Sequence, residues 1–382
     1  MKVSMLAKSA AVALVFGLVA LTPAHAVDLQ GSGASFPANL IEACKAPFAT
    51  SGSGHTYTYA SSSSGTGQKN SDNKIGDFWM SDGAYTASTK RSTLIHVPLV
   101  AAPIAILHNL PSRKNLSLSA STIAGIFGGT ITRWDDPAIA ADNNFTYDKI
   151  TYKRKKGVLV KNKAGNPVVA RTSKVSVRYT LPKKPIKVIY RSDSSGTSEN
   201  FTNYLNKAAG SVWSKAKNKV FKDSFPGDIN SISNLGRVVG AASSTGVSQL
   251  AGKTPYSITY AEVNYATANN LKIANVINAS GNAVAADSTG VSAFLASADQ
   301  DANGFLTFDY ATKEKGAYPL GIVSYLLADT AYGSKTTADA VKAYANFVLS
   351  SACAKDKGTS LGFSVIDGDL LKKSQAQVAK IG

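Results

Sequence analysis

The chain has 382 residues, of which 44% are hydrophobic and 17% charged, and its formal net charge is +17. Its length exceeds what one hydrophobic core usually organises, so we expect two domains rather than one. The sequence contains no GxSxG or HExxH segment and only four histidines, which argues against a serine hydrolase or a zinc protease.

The N-terminal segment has the features of a secretory signal. Lys2 and Lys8 precede an apolar run, and the small residues Ala24 and Ala26 fit a peptidase site. We predict cleavage after Ala26 and a mature chain that is soluble in the periplasm or secreted from the cell. An N-terminal membrane anchor is the alternative, but the apolar run is short for a membrane span.

Two helix starts are predicted early in the mature chain. In "GSGASFP", Ser35 is placed to cap a helix and Pro37 suits its first turn. An apolar face follows at helical spacing, formed by Leu40, Ile41, Cys44 and Phe48. The serine run of "YASSSSGTGQKN" follows the alternating pattern "HTYTYA", so a strand is expected to lead into a second helix there.

The chain contains two cysteines, Cys44 and Cys353. In an oxidising compartment such a pair commonly forms a disulfide, which would hold the two ends of the chain side by side. Two buried free thiols are the alternative.

The apolar run from Leu94 to Leu110 predicts buried strands rather than a membrane span, because it contains two prolines and two histidines. Along the chain, short apolar strands alternate with amphipathic helices. This pattern is typical of an α/β fold.

Most of the excess positive charge lies in one segment. Between Lys149 and Arg191 there are fourteen Lys and Arg residues and no acidic residue. The alternation of apolar and polar residues and the turn signal Gly165-Asn166-Pro167 predict a basic β-hairpin insertion at about residues 149–187. We expect no nucleic-acid partner, because the chain is exported and the segment has few aromatics for stacking.

The stretch "YRSDSSGTSENF", residues 190–201, lies at a predicted turn from a strand to a helix. Its hydroxyl and glycine residues fall at the helix N-terminus, where unpaired backbone N–H groups attract anions. Residues of this kind also serve simply as helix caps. Three such helix starts together with Arg191 predict a site for a small oxyanion, because a guanidinium bonds two oxygens at once.

The segment "GVSQLAGKT", residues 246–254, resembles a nucleotide-binding loop but has one residue too many between its glycines. We interpret it as a helix and its end. We expect no cofactor and no metal site.

Four segments together resemble the PstS family, the phosphate-binding proteins of the bacterial phosphate ABC transporter. They are "GSGASFP", "RSDSSGTSENFTNYL", "IAGIFGGTITRWDDPAIA" and "SITYAEVNYA". The resemblance implies a type II periplasmic binding protein, with two hinged, Rossmann-like α/β lobes around a buried phosphate. The first lobe would comprise residues 27–101 and 320–382, and the second residues 102–319, including the basic insertion.

The resemblance also implies a set of phosphate-binding residues. They are Ser35, Phe36 through its backbone N–H group, Ser63, Asp82, Arg191, Ser195, Gly196 and Thr197. Asp193 would orient Arg191, and a turn aspartate facing water is the alternative. Ser62 and Ser64 are alternatives to Ser63, because the serine run permits a shift of one residue.

Asp82 is the predicted determinant of selectivity. A carboxylate beside a bound anion is repulsive unless the anion brings a proton, which hydrogen phosphate does and sulfate at neutral pH does not. The alternative is a surface aspartate in a turn. Trp79 and Met80 replace the small residues that the family has before this aspartate, and they would either narrow the cleft or pack below it.

The resemblance therefore predicts a monomeric receptor that binds inorganic phosphate and catalyses nothing. A permease of the ABC transporter is its candidate partner. The alternatives are a secreted phosphate-binding or adhesin-like protein without a permease and, as a third class, a phosphatase that holds phosphate as its product.

Overall fold

The computed structural model describes residues 26–83, 85, 90–111, 115–301 and 304–382, so the predicted signal lies outside the described residues. The strands within these ranges are β1 Asp28–Ala34, β2 Thr56–Ser62, β3 Phe78–Ser81, β4 Leu94–His108, β5 Ser117–Ser119, β6 Phe145–Tyr152, β7 Arg154–Lys155, β8 Val158–Leu159, β9 Val169–Val177, β10 Lys187–Arg191, β11 Val238–Ala241, β12 Ser257–Glu262, β13 Lys272–Ile277, β14 Ala283–Val284, β15 Asp299–Gln300, β16 Leu306–Thr307 and β17 Gly321–Asp329.

The α-helices alternate with these strands. They are α1 Ala38–Ala49, α2 Ser64–Asp72, α3 Ala120–Phe127, α4 Pro137–Asn143, α5 Gly196–Ala208, α6 Phe221–Ser224, α7 Ser243–Lys253, α8 Asn264–Ala268, α9 Ser288–Leu295, α10 Lys335–Leu349 and α11 Gly368–Val378. A π-helical segment, Ser351–Gly358, and a short 3-10 helix, Thr359–Leu361, lie between the last two. No helix among the described residues is long and apolar enough to cross a membrane.

Most strands form one continuous sheet with the order β11-β10-β12-β4-β17-β3-β1-β2. The long strand β4 joins its two halves, because its first part pairs with β17 and its last part, Ile104–His108, pairs with β12. The parallel strands β1, β2 and β3 lie on one side, and the parallel strands β10, β11 and β12 lie on the other. This gives a two-lobed α/β architecture. The residue bounds assigned to the lobes stay a prediction.

The run Leu94–Leu110 forms a single buried strand over Leu94–His108, which confirms the strand prediction and excludes a span. The register of β4 against β17 shifts between Ser324 and Tyr325, so that Leu99 is left without a partner residue. The bulge lies beside Pro98, which has no N–H group to give to the sheet.

The predicted helix starts are confirmed at α1, α2 and α5, and the segment at residues 246–254 lies on α7 and its end, as expected. The capping role of Ser35 is wrong. Pro37 is the N-cap of α1, with no side-chain cap bond, and the Ser35 hydroxyl contacts Ser244 instead.

A disulfide joins Cys44 on α1 to Cys353 in the π-helical segment, with 5.4 Å between the two Cα atoms. The bridge closes a sequence separation of 309 residues. The prediction of a bridge is therefore confirmed, and the alternative of two free thiols is wrong.

The basic segment is a β insertion, as predicted, but it begins earlier in the chain. Strands β6 and β9 pair in antiparallel fashion from Phe145 with Val177 to Tyr152 with Val169. Strands β7 and β8 form a short hairpin between them. The predicted insertion begins at Lys149, where the run of basic residues begins, and so leaves out the first four residues of β6, which include the aromatic Phe145 and Tyr147.

Candidate functional site

Four helices begin at one edge of the sheet, where the two strand groups face each other. Helices α1, α2, α5 and α7 follow the strands β1, β2, β10 and β11. Each of these strands is parallel to its neighbour, and in such sheets ligands bind at the carboxyl ends of the strands. Hydrogen bonds from backbone N–H groups join helix starts of the two strand groups across the interface between them. The N–H of Gly65 donates to the carbonyl of Ser194 at 2.9 Å, and the N–H of Ser244 donates to Ser35 Oγ at 3.2 Å.

Arg191 is the last residue of β10 and is only 2% exposed. Its Nε and Nη2 atoms donate to the two carboxylate oxygens of Asp193, at 2.7 and 2.5 Å. Burial raises the pKa of Asp193, but the bonds from Arg191 outweigh it and hold the pKa below its ordinary value. The pair fixes the guanidinium plane, and its Nη1 donates to Ser244 Oγ at 3.1 Å. The alternative of a water-facing Asp193 is inconsistent with this geometry.

Asp82 directly follows β3 and is 3% exposed, which excludes a surface aspartate. Its carboxylate accepts bonds from the hydroxyls of Ser324 at 2.7 Å and of Ser64 and Thr197, both at 3.3 Å. Burial raises the pKa of Asp82 to about 6, although the three hydroxyls and the nearby Arg191 act in the opposite direction. A carboxyl group with this pKa is mostly ionised at neutral pH and can accept a hydrogen bond from a ligand that carries a proton.

Gly196 permits the start of α5 to approach Asp82 closely. A Cβ atom at this position would lie 2.5 Å from Ser64 Oγ and 2.7 Å from the Cβ of Asp82. At Gly65, a Cβ atom would lie 2.4 Å from Ser194 Oγ. Both glycines therefore stand where two helix starts from different strand groups come into contact, so any side chain would force them apart.

Ser63 and Ser64 have different partners. Ser63 is the N-cap of α2, and its hydroxyl accepts a bond from the N–H of Thr66 at 3.1 Å. Ser64 lies on the Asp82 side, because its Oγ atom also accepts the N–H of Asp82 at 3.1 Å. Of the three serines considered for this place, Ser64 is the one whose hydroxyl bonds the carboxyl group of Asp82.

The predicted residues on α5 and α1 lie at or next to these helix starts. Ser195 caps α5 and accepts the N–H of Ser198 at 3.2 Å, while Thr197 reaches Asp82 from the first turn. Phe36 is buried just before α1, in edge contact with Phe363 at 6.2 Å between ring centroids. Its backbone N–H is the group that the sequence prediction uses, and its ring belongs to the core.

Trp79 and Met80 pack away from the site. Trp79 lies in a small apolar cluster with Leu94 and Leu327, and its Nε1 donates to the carbonyl of Ile75. Met80 belongs to the main core. Of the two readings of these bulky residues, packing beneath the cleft is the one that the structure supports.

Glu262 is a buried carboxyl group of the site that the sequence prediction missed. It ends β12, is 1% exposed and accepts the Ser244 hydroxyl on Oε1 at 3.0 Å. Within the described part of the chain, Oε2 is buried without a hydrogen-bond partner. Burial raises the pKa of Glu262 to about 8, against the effect of the nearby Arg191. The available signal was an acidic residue ending the otherwise apolar strand "SITYAE", next to the strand that carries Arg191.

Comparisons with known proteins identify relatives of this arrangement. A family model described as a PBP superfamily domain matches residues 20–352. The phosphate-binding protein PstS 2 of Mycobacterium tuberculosis is 31% identical over 332 residues, which cover 83% of this chain and 78% of that protein. PstS 3 of the same organism is 32% identical over 256 residues, and this match spans 57% of its length and 65% of this chain. The phosphate-binding protein PstS of Haemophilus influenzae is 29% identical over 95% of this chain and 96% of its own length.

Solved structures share the fold. The ancestral soluble variant of the Human Phosphate Binding Protein gives a TM-score of 0.65 at 20% identity, over 91% of this chain and 93% of that one. The high affinity periplasmic phosphate-binding protein PfluDING, solved with phosphate bound, gives 0.61 at 22% identity over the same shares. The fold is thus the two-lobed α/β fold predicted from the sequence. Since the family model covers most of the chain and PstS 2 aligns with 83% of it, the chain belongs to the PstS family of phosphate-binding proteins.

Proposed function

We propose that this protein binds inorganic hydrogen phosphate between its two lobes. The observation that carries the proposal is the buried Asp82 carboxyl group, which contacts a hydroxyl from each side of the interface, Ser64 on α2 and Thr197 on α5. A buried carboxylate that faces helix starts and a guanidinium suits an anion that brings its own proton. The names of the related phosphate-binding proteins support the same ligand.

The residues divide the recognition between charge and hydrogen bonds. Arg191 supplies positive charge in a plane fixed by Asp193, and the first turns of α2 and α5 supply backbone N–H groups without partners inside their helices. The hydroxyls of Ser64 and Thr197 donate hydrogen bonds to the carboxyl group of Asp82. Since hydroxyl groups rotate, they can turn to phosphate oxygens when Asp82 accepts a hydrogen bond from the phosphate O–H group.

Glu262 would take part as a neutral carboxyl group. With its pKa raised to about 8, it holds its proton at neutral pH and adds no negative charge beside the anion. Its bond with Ser244 ties it to the hydroxyl that Arg191 also contacts, so it helps to position that side chain. A neutral Glu262 thus adds no charge to those of Asp193 and Asp82, and the ligand proton would form a hydrogen bond to the Asp82 carboxylate.

In the cell, the protein would act as the extracytoplasmic substrate-binding component of a phosphate ABC transporter. The signal-like N-terminal segment and the PstS relatives support this role. The chain would work as a monomer that delivers its ligand to a permease. It would bind phosphate without chemical change, and failure to release phosphate from a model phosphate ester would set it apart from a phosphatase.

Isothermal titration of the mature chain with phosphate tests the site. A few charge-assisted bonds suffice for micromolar binding, so we expect a dissociation constant of roughly 1 μM or below. Arg191→Ala should weaken binding at least about tenfold through loss of a buried charged contact. Arg191→Lys keeps the charge and should fall between the two. Arg133→Ala is the matched control, since that arginine is half exposed and pairs with Asp135 on the surface. Equal affinities in all four proteins would refute the assignment of Arg191.

A further inference from the structure

The basic insertion projects from the fold as an exposed ribbon, residues 145–178, which we call the basic ribbon. Its stem is the antiparallel pair of β6 and β9. At its far end the chain adds a third segment, because the N–H of Val160 donates to the carbonyl of Lys153 and the N–H of Val168 donates to that of Val160, both at 2.9 Å. Every residue of β6 is exposed to solvent. The ribbon therefore has both of its faces free for a partner.

The charge of the basic ribbon is almost entirely positive. Its only acidic residue is Asp148, against ten basic residues. The basic residues are Lys149, Lys153, Arg154, Lys155, Lys156, Lys161, Lys163, Arg171, Lys174 and Arg178. Among the ion pairs of the described residues, none involves a lysine of the ribbon. The ribbon thus carries a dense positive charge, and none of the ion pairs found among the described residues neutralises its lysines.

Large apolar side chains are exposed among these charges, on both faces. Phe145 and Tyr147 lie on one face, with ring centroids 6.3 Å apart, and Phe145 is 52% exposed. Ile150 lies on the opposite face, because side chains alternate along a strand, and it is 48% exposed. Val158 is 71% exposed in the hairpin beside the cations Lys155 and Lys156. Several large apolar side chains exposed together in one small element mark a candidate interaction surface.

We propose that the basic ribbon docks on the surface of an anionic lipid bilayer. Lysine side chains keep their charge among lipid headgroups while their stems cover apolar surface, and each adds to attraction near the bilayer. Tyrosine and phenylalanine rings are favoured at the same depth. A bilayer also explains the apolar residues on both faces, since an inserted ribbon is surrounded, whereas a protein surface covers one face only.

The aliphatic residues distinguish a bilayer from nucleic acid. Nucleic acids and anionic lipids both offer phosphate groups to the cations of the ribbon, and the bases of a nucleic acid also stack on aromatic rings. Ile150, Val158 and Val169 are exposed but offer no ring on which a base can stack. Contact with a partner is favourable for these side chains only where their apolar surface leaves water, as at the boundary between headgroups and acyl chains.

Co-sedimentation with vesicles tests the proposal. We expect the mature wild-type protein to bind vesicles of equimolar phosphatidylcholine and phosphatidylglycerol, and to stay in solution with phosphatidylcholine alone. A triple variant, Lys153→Glu, Lys155→Glu and Lys156→Glu, should lose at least about tenfold in affinity. The matched control reverses three exposed lysines elsewhere, Lys253→Glu, Lys355→Glu and Lys373→Glu, and should retain binding although its net charge changes equally.

Two further variants distinguish apolar insertion into the bilayer, and any role of the phosphate site, from the effect of overall charge. Replacing Tyr147 and Val158 by serine should weaken vesicle binding severalfold without a change in charge. Arg191→Ala should leave vesicle binding intact, and the lysine variant should keep its phosphate affinity, which also shows that it is folded. The proposal is overturned if wild type ignores anionic vesicles, if the lysine variant binds them as wild type does, or if a DNA duplex competes more strongly than the vesicles.

Discussion

Glu262 and Asp82 are two buried carboxyl groups beside one guanidinium, and burial raises the pKa of both, but to different values. Asp82 has three hydroxyl donors, and burial raises its pKa to about 6. Glu262 has one donor, and its pKa rises to about 8. At neutral pH the first is therefore ionised and the second neutral, which gives the site one proton acceptor and one uncharged partner.

The proton on Glu262 makes the stability of the fold depend on pH. Its pKa is raised from 4.5 to about 8 on folding, so the folded state binds the additional proton between these values. Its contribution to stability is present at acid pH and is lost as the pH rises towards about 8. The glutamine of Glu262→Gln cannot ionise, so the melting temperature of this variant should fall less than that of wild type between pH 5 and pH 9. Thermal unfolding of ligand-free protein across this range measures the difference.

The control for this prediction is Glu314→Gln, which changes an exposed glutamate in the same way. It should follow the pH dependence of the wild type. If Glu262→Gln also follows the wild-type curve, Glu262 does not hold a proton in the folded protein at neutral pH, and its role as a neutral carboxyl group is refuted.

At the scale of single elements, local patterns in the sequence carried most of the fold. Apolar spacing and hydroxyl-rich starts located α1, α2 and α5, because helix periodicity and capping are local properties. The alternating pattern with its turn signal located the basic β insertion. These features depend on residues close together in the sequence, so no knowledge of the remaining chain was needed to predict them.

Other features depend on contacts between distant parts of the chain and could not be predicted in this way. Ser35 caps nothing because Ser244, 209 residues away, takes its hydroxyl. Ser64 is the serine that contacts Asp82 because α2 and the end of β3 come together, across 18 residues of sequence. Glu262 gains its importance only when β12 lies beside β10. The binding residues inferred from family resemblance were brought together, but their contact with phosphate stays a prediction.

The close approach of α5 to Asp82 gives a prediction for Gly196→Ala. The added methyl group would lie 2.5 Å from Ser64 Oγ and 2.7 Å from the Cβ of Asp82, so the helix start must shift. We expect phosphate affinity to fall about tenfold or more, because displacement of the binding groups by a fraction of an ångström weakens several bonds together. Calorimetric titration measures this.

Gly246→Ala is the matched control, because it places the same methyl group on α7 with no neighbour closer than 3.7 Å. It should leave affinity unchanged and slightly stabilise the helix. If Gly196→Ala binds phosphate as wild type does, the start of α5 is not part of the binding site.

At the scale of the whole molecule, one long strand, β4, joins the two halves of the sheet. β4 and β17 run side by side, and β4 continues into the second strand group. The halves also contact each other through side chains such as Lys219, whose Nζ donates to Gln68 at 2.5 Å. Contacts of this kind between two lobes joined by a continuous strand are suited to closure on a ligand.

The disulfide should contribute to stability and not to binding. It ties the middle of α1 to the π-helical segment and closes a loop with a sequence separation of 309 residues. Replacing Cys44 and Cys353 by alanine should lower the free energy of unfolding by about 2–5 kcal/mol, because the unfolded chain gains freedom. Denaturant unfolding measures the loss. Unchanged stability, or a loss of phosphate affinity in the folded variant, would contradict this assignment.

The central claim is that a buried carboxyl group selects an anion that carries a proton, and one measurement tests it most directly. Wild type and Asp82→Asn are titrated with phosphate and with sulfate at neutral pH, with the surface change Asp339→Asn as control. Wild type and control should bind phosphate at least about a hundredfold more tightly than sulfate, since an unpaired buried charge costs several kcal/mol. Asp82→Asn should bind phosphate less tightly and lose most of this preference. Equal binding of the two anions by wild type, or an unchanged preference in Asp82→Asn, would contradict the claim.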